Sequence, residues 1–558
     1  MKGIFVILGC QAVSPNRELL NPLSSLNMEF SSLKNQIESR HTKENIGMAK
    51  KNEDLQAEIV VIGGGGAGLA AALTAAEKGC RHIVVLEKAG APAGSTSMAH
   101  DIFGAESPVQ KRAGVDARKD DLFKIGMEWA HWNRVNPRLV RAFIDKSGDT
   151  IGWLEEKGLE FAIAQFFPGQ VPWVRHYIVN GQGAKLMKVM RKNCADLGIT
   201  IHTNACGKKI VRDDKGRIAG VTATTKTGDL TVRAKSLIIT TGGYGNNKEM
   251  LKAHCQYYQE TMSYDGVPSN TGDGVKMATE IGAATSGLGT LILHGPFLTR
   301  TEVKAVKLDA KDHDGKELQV RLQEMAWEPY TIWMNKHGKR FMDEAHSLAF
   351  FASGNAVAQQ PDGIAYSLFD SDTVRMMEKE GLVRSGIFGI AAHTLHGFVP
   401  PAVPLPGLEK KLRKRSDPNF MMISDSWNDI AEWMGARPEF LKNSIDEYNS
   451  ACEKSHDNLF VKDTKYLRPI RTAPYYAIKG HASICDAIGG VKINENMEVL
   501  DTEDRPIPGL YAAGSTAGCW ESESYCYRLT GHLVGFALNS GRIAGENAVA
   551  YLSKQMSN

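Results

Sequence analysis

Ala57–Lys88 reads AEIVVIGGGGAGLAAALTAAEKGCRHIVVLEK, and the fold is decided by how this stretch is read. Glu58–Ile62 is rich in β-branched residues and too short for a helix, so it predicts a buried strand. Gly63, Gly65 and Gly68 fit the G-x-G-x-x-G spacing. Leu69–Gly79 is alanine-rich and predicts a helix, and Ile83–Leu86 predicts a second strand that ends on Glu87. Each part has a task in holding a dinucleotide. Gly63 allows the tight turn, Gly65 lets the backbone approach a pyrophosphate, and Gly68 lets helix and strand pack closely. Gly66 and Ala67, in the same turn, are further cofactor candidates, and the free N–H groups at the helix N-terminus suit phosphate. Glu87 is placed to accept hydrogen bonds from a ribose.

Further segments extend this reading. Lys88 and the small-residue loop Ala89–Pro108 follow the second strand, and Ser95, Thr96 and Ser97 are candidate contacts to the cofactor. Lys235–Thr241 predicts another buried strand, running into Gly242 and Gly243, where backbone again comes close to a ligand. Asp273 sits in the tight turn Thr271–Gly274. Asp120–Lys157 predicts helices broken at Asn136-Pro137, with Trp129, Trp132, Leu139, Phe143, Ile151 and Trp153 on core faces. Lys304–Lys316 reads as a solvated charged loop, and Trp327–Met334 as a strand. Ile430–Cys452 reads as helix interrupted at Arg437-Pro438, with Phe440 among its apolar positions.

The chain has 558 residues, too many for one ordinary core. Its 42% hydrophobic and 23% charged content is that of a globular protein, which sets disordered and fibrous classes aside. A net charge of +3 argues against nucleic acid as the main partner. The sequence holds no apolar run long enough to span a bilayer. Nine cysteines are scattered from Cys10 to Cys526 without a C-x-x-C pair, so no metal or cluster site is expected and free thiols in a cytoplasmic setting are.

Five segments together resemble the flavoprotein family of fumarate reductase and succinate dehydrogenase, which includes 3-ketosteroid dehydrogenases and urocanate reductase. They are IGGGGAGLAAALTAAEKG; TTGGYGNN with TGDG; NKHGKRFMDE; RPIRTAPYYAI with GGVKIN; and IPGLYAAG with GRIAGENA. The likeness spans about residues 56–552 in the same order. It implies FAD as cofactor and an α/β fold: a two-part Rossmann-like FAD-binding domain with an inserted α+β cap domain for substrate. The expected division is an N-terminal extension at 1–55, FAD-binding parts at 56–280 and 459–558, and a cap at 281–458. Gly514 and Ser515, in the AAG-Ser turn, join the candidate cofactor residues.

The resemblance also exposes departures. Fumarate reductases carry an arginine four residues after the glutamate of the RFxNE segment; here that glutamate is Glu344 and the fourth residue on is Leu348. They carry a histidine three residues before the late paired glycines, where this chain has Asp486, and usually a glutamate where it has Ser515. Two groups used for a small dicarboxylate are therefore missing. Arg528 matches the family's carboxylate-binding arginine, while Tyr527 with Gly531 resembles the ketosteroid branch. Tyr527 and Arg528 are the catalytic candidates, with His294, Tyr525, Gly531 and His532 as candidate substrate contacts.

The expected function is FAD-dependent reduction of an activated C=C bond in a small-molecule substrate bulkier than fumarate, steroid-like or aryl. The alternatives are a 3-ketosteroid-type dehydrogenase and an electron-transfer subunit that needs a redox partner. The sequence leaves the electron donor and self-association open.

Overall fold

The computed structural model describes residues 53–163, 173–298, 305–311, 317–348, 350–383, 403–414 and 417–557. The expected N-terminal extension lies almost wholly outside them. A six-stranded sheet organises the rest. Its strands, in chain order, are β1 (Ile59–Ile62), β2 (Ile83–Glu87), β3 (Thr200–Thr203), β4 (Ser236–Ile239), β5 (Glu498–Leu500) and β6 (Pro506–Ala512). Their spatial order is β5-β6-β4-β1-β2-β3. All neighbours run parallel except the edge pair β5–β6. β1, β2 and β4 are buried at every position, which explains their unbroken apolar runs: a parallel sheet is covered on both faces.

Helix α1 (Gly66–Glu77) connects β1 to β2. Leu69 and Leu73 within it are fully buried, each worth about 2 kcal/mol of burial. The pairing of Leu237–Ile239 in β4 with Leu510–Ala512 in β6 joins residues on either side of the second sheet's segments in one sheet. The terminal helix α2 (His532–Ser557) follows that second contribution.

A second sheet is built around the 13-residue strand Tyr475–Ala487. Ile364–Asp370, Met421–Ser424 and Leu291–Phe297 each pair antiparallel with it. The apolar core divides accordingly. One cluster holds the parallel sheet, and two smaller ones, around Met325 and Tyr476 and around Leu441 and Tyr448, lie between Leu298 and Ile478 in sequence.

Four local expectations need correcting. The described part of Lys304–Lys316 is a strand, Ala305–Lys311, paired with Glu317–Arg321. Val306 and Leu308 are buried with exposed Lys307 between them, a period-two pattern that the surrounding charges obscure. Of Trp327–Met334 only Ile332–Met334 is strand; Leu322–Ala326 before it is a helical turn with every residue buried, so no alternation separates the two states. Phe440 is 38% exposed and carries the Arg437 guanidinium over its ring at 4.5 Å. Trp132 is 64% exposed, because the helix Lys119–Trp129 ends before it.

Candidate functional site

One cleft of about 720 Å³ runs along the C-terminal ends of the parallel strands. Gly63, Gly65, Gly66 and Ala67 follow β1, Glu87 and Lys88 close β2, Thr241 and Gly242 follow β4, and Gly514 and Ser515 follow β6. Ser95, Thr96 and Asp273 line it as well. Gly68, Ser97 and Gly243 lie outside the lining. Gly68 packs on the Gly63 carbonyl, Ser97 Oγ donates to the Gly94 carbonyl at 2.8 Å, and Gly243 backs onto Asp486 and Ala487. A crevice at the carboxyl ends of parallel strands is where open α/β sheets bind ligands.

The cleft is polarised at fixed points. Glu87 accepts the Gly64 N–H on Oε2 (2.8 Å) and the Ala89 N–H on Oε1 (2.7 Å), which locks its carboxylate while each oxygen keeps a lone pair. No side chain caps the N-terminus of α1, so its first turn offers N–H groups and a partial positive charge. Lys88 Nζ bonds Asp273 Oδ2 at 2.6 Å and Thr271 Oγ1 at 2.7 Å. These features suit a ribose, a pyrophosphate and a chain of hydroxyls.

Sequence reading missed several lining residues. Ala205, Cys206 and Gly207 follow β3, and Ser269 and Asn270 precede the Thr271–Gly274 turn. The signal available for the first group was position, at the end of the strand beside Glu87. Asn270 donates from Nδ2 to Ser95 Oγ at 3.2 Å and to Asp486 Oδ1 at 3.1 Å, tying three distant segments together.

Asp486 is almost fully buried. Its Oδ1 also accepts the Ala487 N–H at 2.9 Å, whereas Oδ2 lacks a well-formed hydrogen bond. Burial pushes its carboxyl up to about 6, against hydrogen bonding from Ala487, Ser515 and Asn270. A folded value above the unfolded 3.8 gives stability that is complete at low pH and lost as pH rises through about 6. Asp486→Asn keeps the shape and removes the titration. The variant should gain about 2 kcal/mol on the parent between pH 4 and pH 8. Thermal unfolding of both across that range checks it, and parallel curves would clear Asp486 of the effect.

The chain between Ser515 and α2 carries the other candidates. Tyr527 and Arg528 line a second cleft of about 1010 Å³, together with Glu128, Trp129 and His131. Trp129 meets the Tyr527 ring edge-on, with centroids 5.0 Å apart. Arg528 is exposed, and Glu523 pairs with Arg134 at 3.7 Å. Tyr525 and His532 line neither cleft: both are buried and stacked on each other at 4.3 Å. His532 Nε2 lies 2.5 Å from Glu521 Oε2, and Nδ1 lies 2.8 Å from the Leu529 carbonyl. A carbonyl only accepts, so Nδ1 is the donor in that bond. Glu521 Oε2 also accepts the Cys526 N–H at 3.2 Å, so this pair brackets the turn Tyr527–Leu529 from both sides. Gly531, at φ +81°, packs its Cα against Asp101 and Phe103. His294 sits on the strand Leu291–Phe297 opposite Ser483, outside the lining of both clefts.

Among the described residues no helix is long and apolar enough to cross a membrane. Residues 58–531 match the family described as FAD binding domain. A vinyl phenol reductase from Lactiplantibacillus plantarum is 28% identical over 504 residues, covering 89% of this chain and 97% of that one. A urocanate reductase from Eggerthella lenta is 29% identical over 511 residues, covering 88% and 75%. The fold is similar to that of 3-ketosteroid delta1-dehydrogenase from Sterolibacterium denitrificans, with a TM-score of 0.70 at 16% identity, over 89% of this chain and 99% of that one. The glycine cradle, the uncapped helix end and the locked Glu87 fit FAD. The chain belongs to this FAD-binding family, together with the fumarate reductase-like flavoproteins, and is an FAD-dependent oxidoreductase acting on C=C and CH–CH bonds.

Proposed function

We propose that this protein reduces an activated C=C bond in an enone or unsaturated acid bulkier than fumarate. Residues 56–280 and 459–558 form its FAD-binding domain, and 281–458 its cap. FAD, when bound, supplies the hydride that goes to the β-carbon. Tyr527 and Arg528 polarise the conjugated carbonyl, and the Tyr527 hydroxyl gives the proton that completes the CH–CH bond. The cap helix Phe350–Ala358 reaches this segment through Asn355 Nδ2, which donates to Ser524 Oγ at 2.6 Å.

The observation that carries the reading is the make-up of the second cleft. Arg528 is there, but Glu128 and Glu523 share the lining, and their charges disfavour a dianion. Leu348 and Asp486 stand where a dicarboxylate would need an arginine and a histidine. The reductases similar to this chain support the reductive direction.

The test is anaerobic. The bound flavin is reduced with dithionite and mixed with fumarate, cinnamates, 3-ketosteroids and simple enones. Rapid reoxidation by a bulky enone or aryl acid, with fumarate far slower, is expected. Fumarate working as well as any would overturn the reading of Leu348 and Asp486. Bleaching of the oxidised flavin by a saturated ketone, with no alkene active, would make the enzyme a dehydrogenase. Reoxidation by a dye acceptor alone would make it an electron-transfer subunit.

A further inference from the structure

The loop after the helix Lys119–Trp129 is held in an unfavourable backbone. His131, Trp132 and Arg134 have φ of +49°, +54° and +59°, and none is glycine. This left-handed region is one that L-residues avoid, and clusters of such residues persist only where surroundings over-determine them. Here they do. The Trp132 N–H bonds the Met127 carbonyl at 3.1 Å, and the Asn133 N–H bonds the Ala130 carbonyl at 2.8 Å. Trp129 Nε1 donates to the Ser524 carbonyl at 3.1 Å, Ser522 Oγ to the Ala130 carbonyl at 3.4 Å, and the Asn136 N–H to the Cys519 carbonyl at 2.7 Å. Strain is thus spent on laying this loop against the segment that carries Tyr527 and Arg528.

The outcome is a sorting of side chains. Trp129, His131 and Asn133 line the second cleft, while Trp132 between them does not and is largely exposed. With Tyr527, the cleft presents three ring systems and one neutral amide. Aromatic walls favour a planar ring, and an amide fixes one oxygen substituent on it.

The geometry points to the strained loop His131–Arg134 as the specificity element of this enzyme: Trp129 and His131 hold an aryl ring on the end of the substrate away from the Tyr527 hydroxyl, and Asn133 takes a hydroxyl on that ring. This assignment rests on reading Tyr527 and Arg528 as the reacting end of the site.

Binding tests it without turnover. The oxidised holoenzyme is titrated calorimetrically with 3-(4-hydroxyphenyl)propanoate, 3-phenylpropanoate and pentanoate, all saturated. The hydroxyaryl acid should bind at least tenfold more tightly than pentanoate. Trp129→Phe should keep most of that preference and Trp129→Leu should lose it. Asn133→Ala, at an exposed position, should erase the difference between the hydroxyaryl and phenyl acids. Equal affinity of the parent for all three ligands would overturn the proposal. So would a preference unchanged in both Trp129→Leu and Asn133→Ala. Should Trp129→Leu lose its flavin, Asn133→Ala decides alone. Failure of every alkene to reoxidise the flavin would remove the proposed reaction but leave these affinities readable. Alkene reduction without aryl preference would remove only the present inference.

Discussion

Gly68→Ala should give a colourless, destabilised protein, whereas Gly65→Ala should give a folded protein that fails to retain FAD. A Cβ on Gly68 would lie 1.9 Å from the Gly63 carbonyl oxygen and 2.7 Å from Thr240 Oγ1. Neither neighbour can yield: Thr240 Oγ1 already donates to the Gly63 carbonyl at 2.8 Å, and Gly63 itself sits at φ +110°. Helix α1 must shift off the sheet, at a cost of about 3 kcal/mol or more, and its N-terminal N–H groups move with it. A Cβ on Gly65 meets nothing nearer than the Gly94 Cα at 3.8 Å. The polypeptide therefore tolerates it to within about 0.5 kcal/mol. The space it fills is that left for the pyrophosphate, so FAD affinity should fall about tenfold or more. Visible absorbance of the purified proteins, and thermal unfolding with and without added FAD, separate the two effects. Full flavin content in Gly65→Ala would mean that the phosphates do not pass this point.

Glu344→Gln should cost about 3–5 kcal/mol, a large share of an ordinary domain's stability. Glu344 is completely buried and accepts Arg340 Nε on Oε1 (2.9 Å), Arg340 Nη2 on Oε2 (3.0 Å) and Lys462 Nζ on Oε2 (3.1 Å). Arg340 Nη2 also reaches Asp457 at 3.0 Å, so two anions and two cations form one closed set. Burial alone would raise the Glu344 carboxyl, but Lys462 and Arg340 outweigh it and hold it below its ordinary 4.5. A depressed carboxylate contributes stability that is present above the unfolded value and lost as pH falls through the folded one. The gap in melting temperature between parent and Glu344→Gln should therefore be widest near neutrality and shrink below pH 4.5. A constant gap down to pH 3 would show that packing, not charge, is what the substitution removes. In this chain the KRFMDE segment thus serves to hold a core together.

Much of this was legible locally. The spacing of Gly63, Gly65 and Gly68 states a backbone requirement that three residues satisfy within one turn, and Glu87 follows at the distance one βαβ unit imposes. Asn136-Pro137 marked a break between helices, and a helix does start there: proline is tolerated at its first position, and the Asn136 side chain caps it at the Arg138 and Leu139 N–H groups. Other features could not be read this way. Val306 and Leu308 were hidden by neighbouring charges, and Trp132 looked like core because the left-handed turn that exposes it leaves no compositional mark.

The sequence by itself determined the dinucleotide turn, since Gly63, Gly65, Gly68 and Glu87 lie within one βαβ unit, and the resemblance to a flavoprotein family carried the cofactor class. Only the tertiary structure decided that Ala205–Gly207 and Asn270 join Glu87 and Ser515 in one cleft, that Asp486 is buried behind it, and that Trp129 meets Tyr527. Trp129 and Tyr527 lie almost four hundred residues apart, and β1 and its sheet-mate β6 lie further apart still. Such meetings are set by which strands pair and how helices cover them, a global minimisation of exposed apolar surface that no local spacing records.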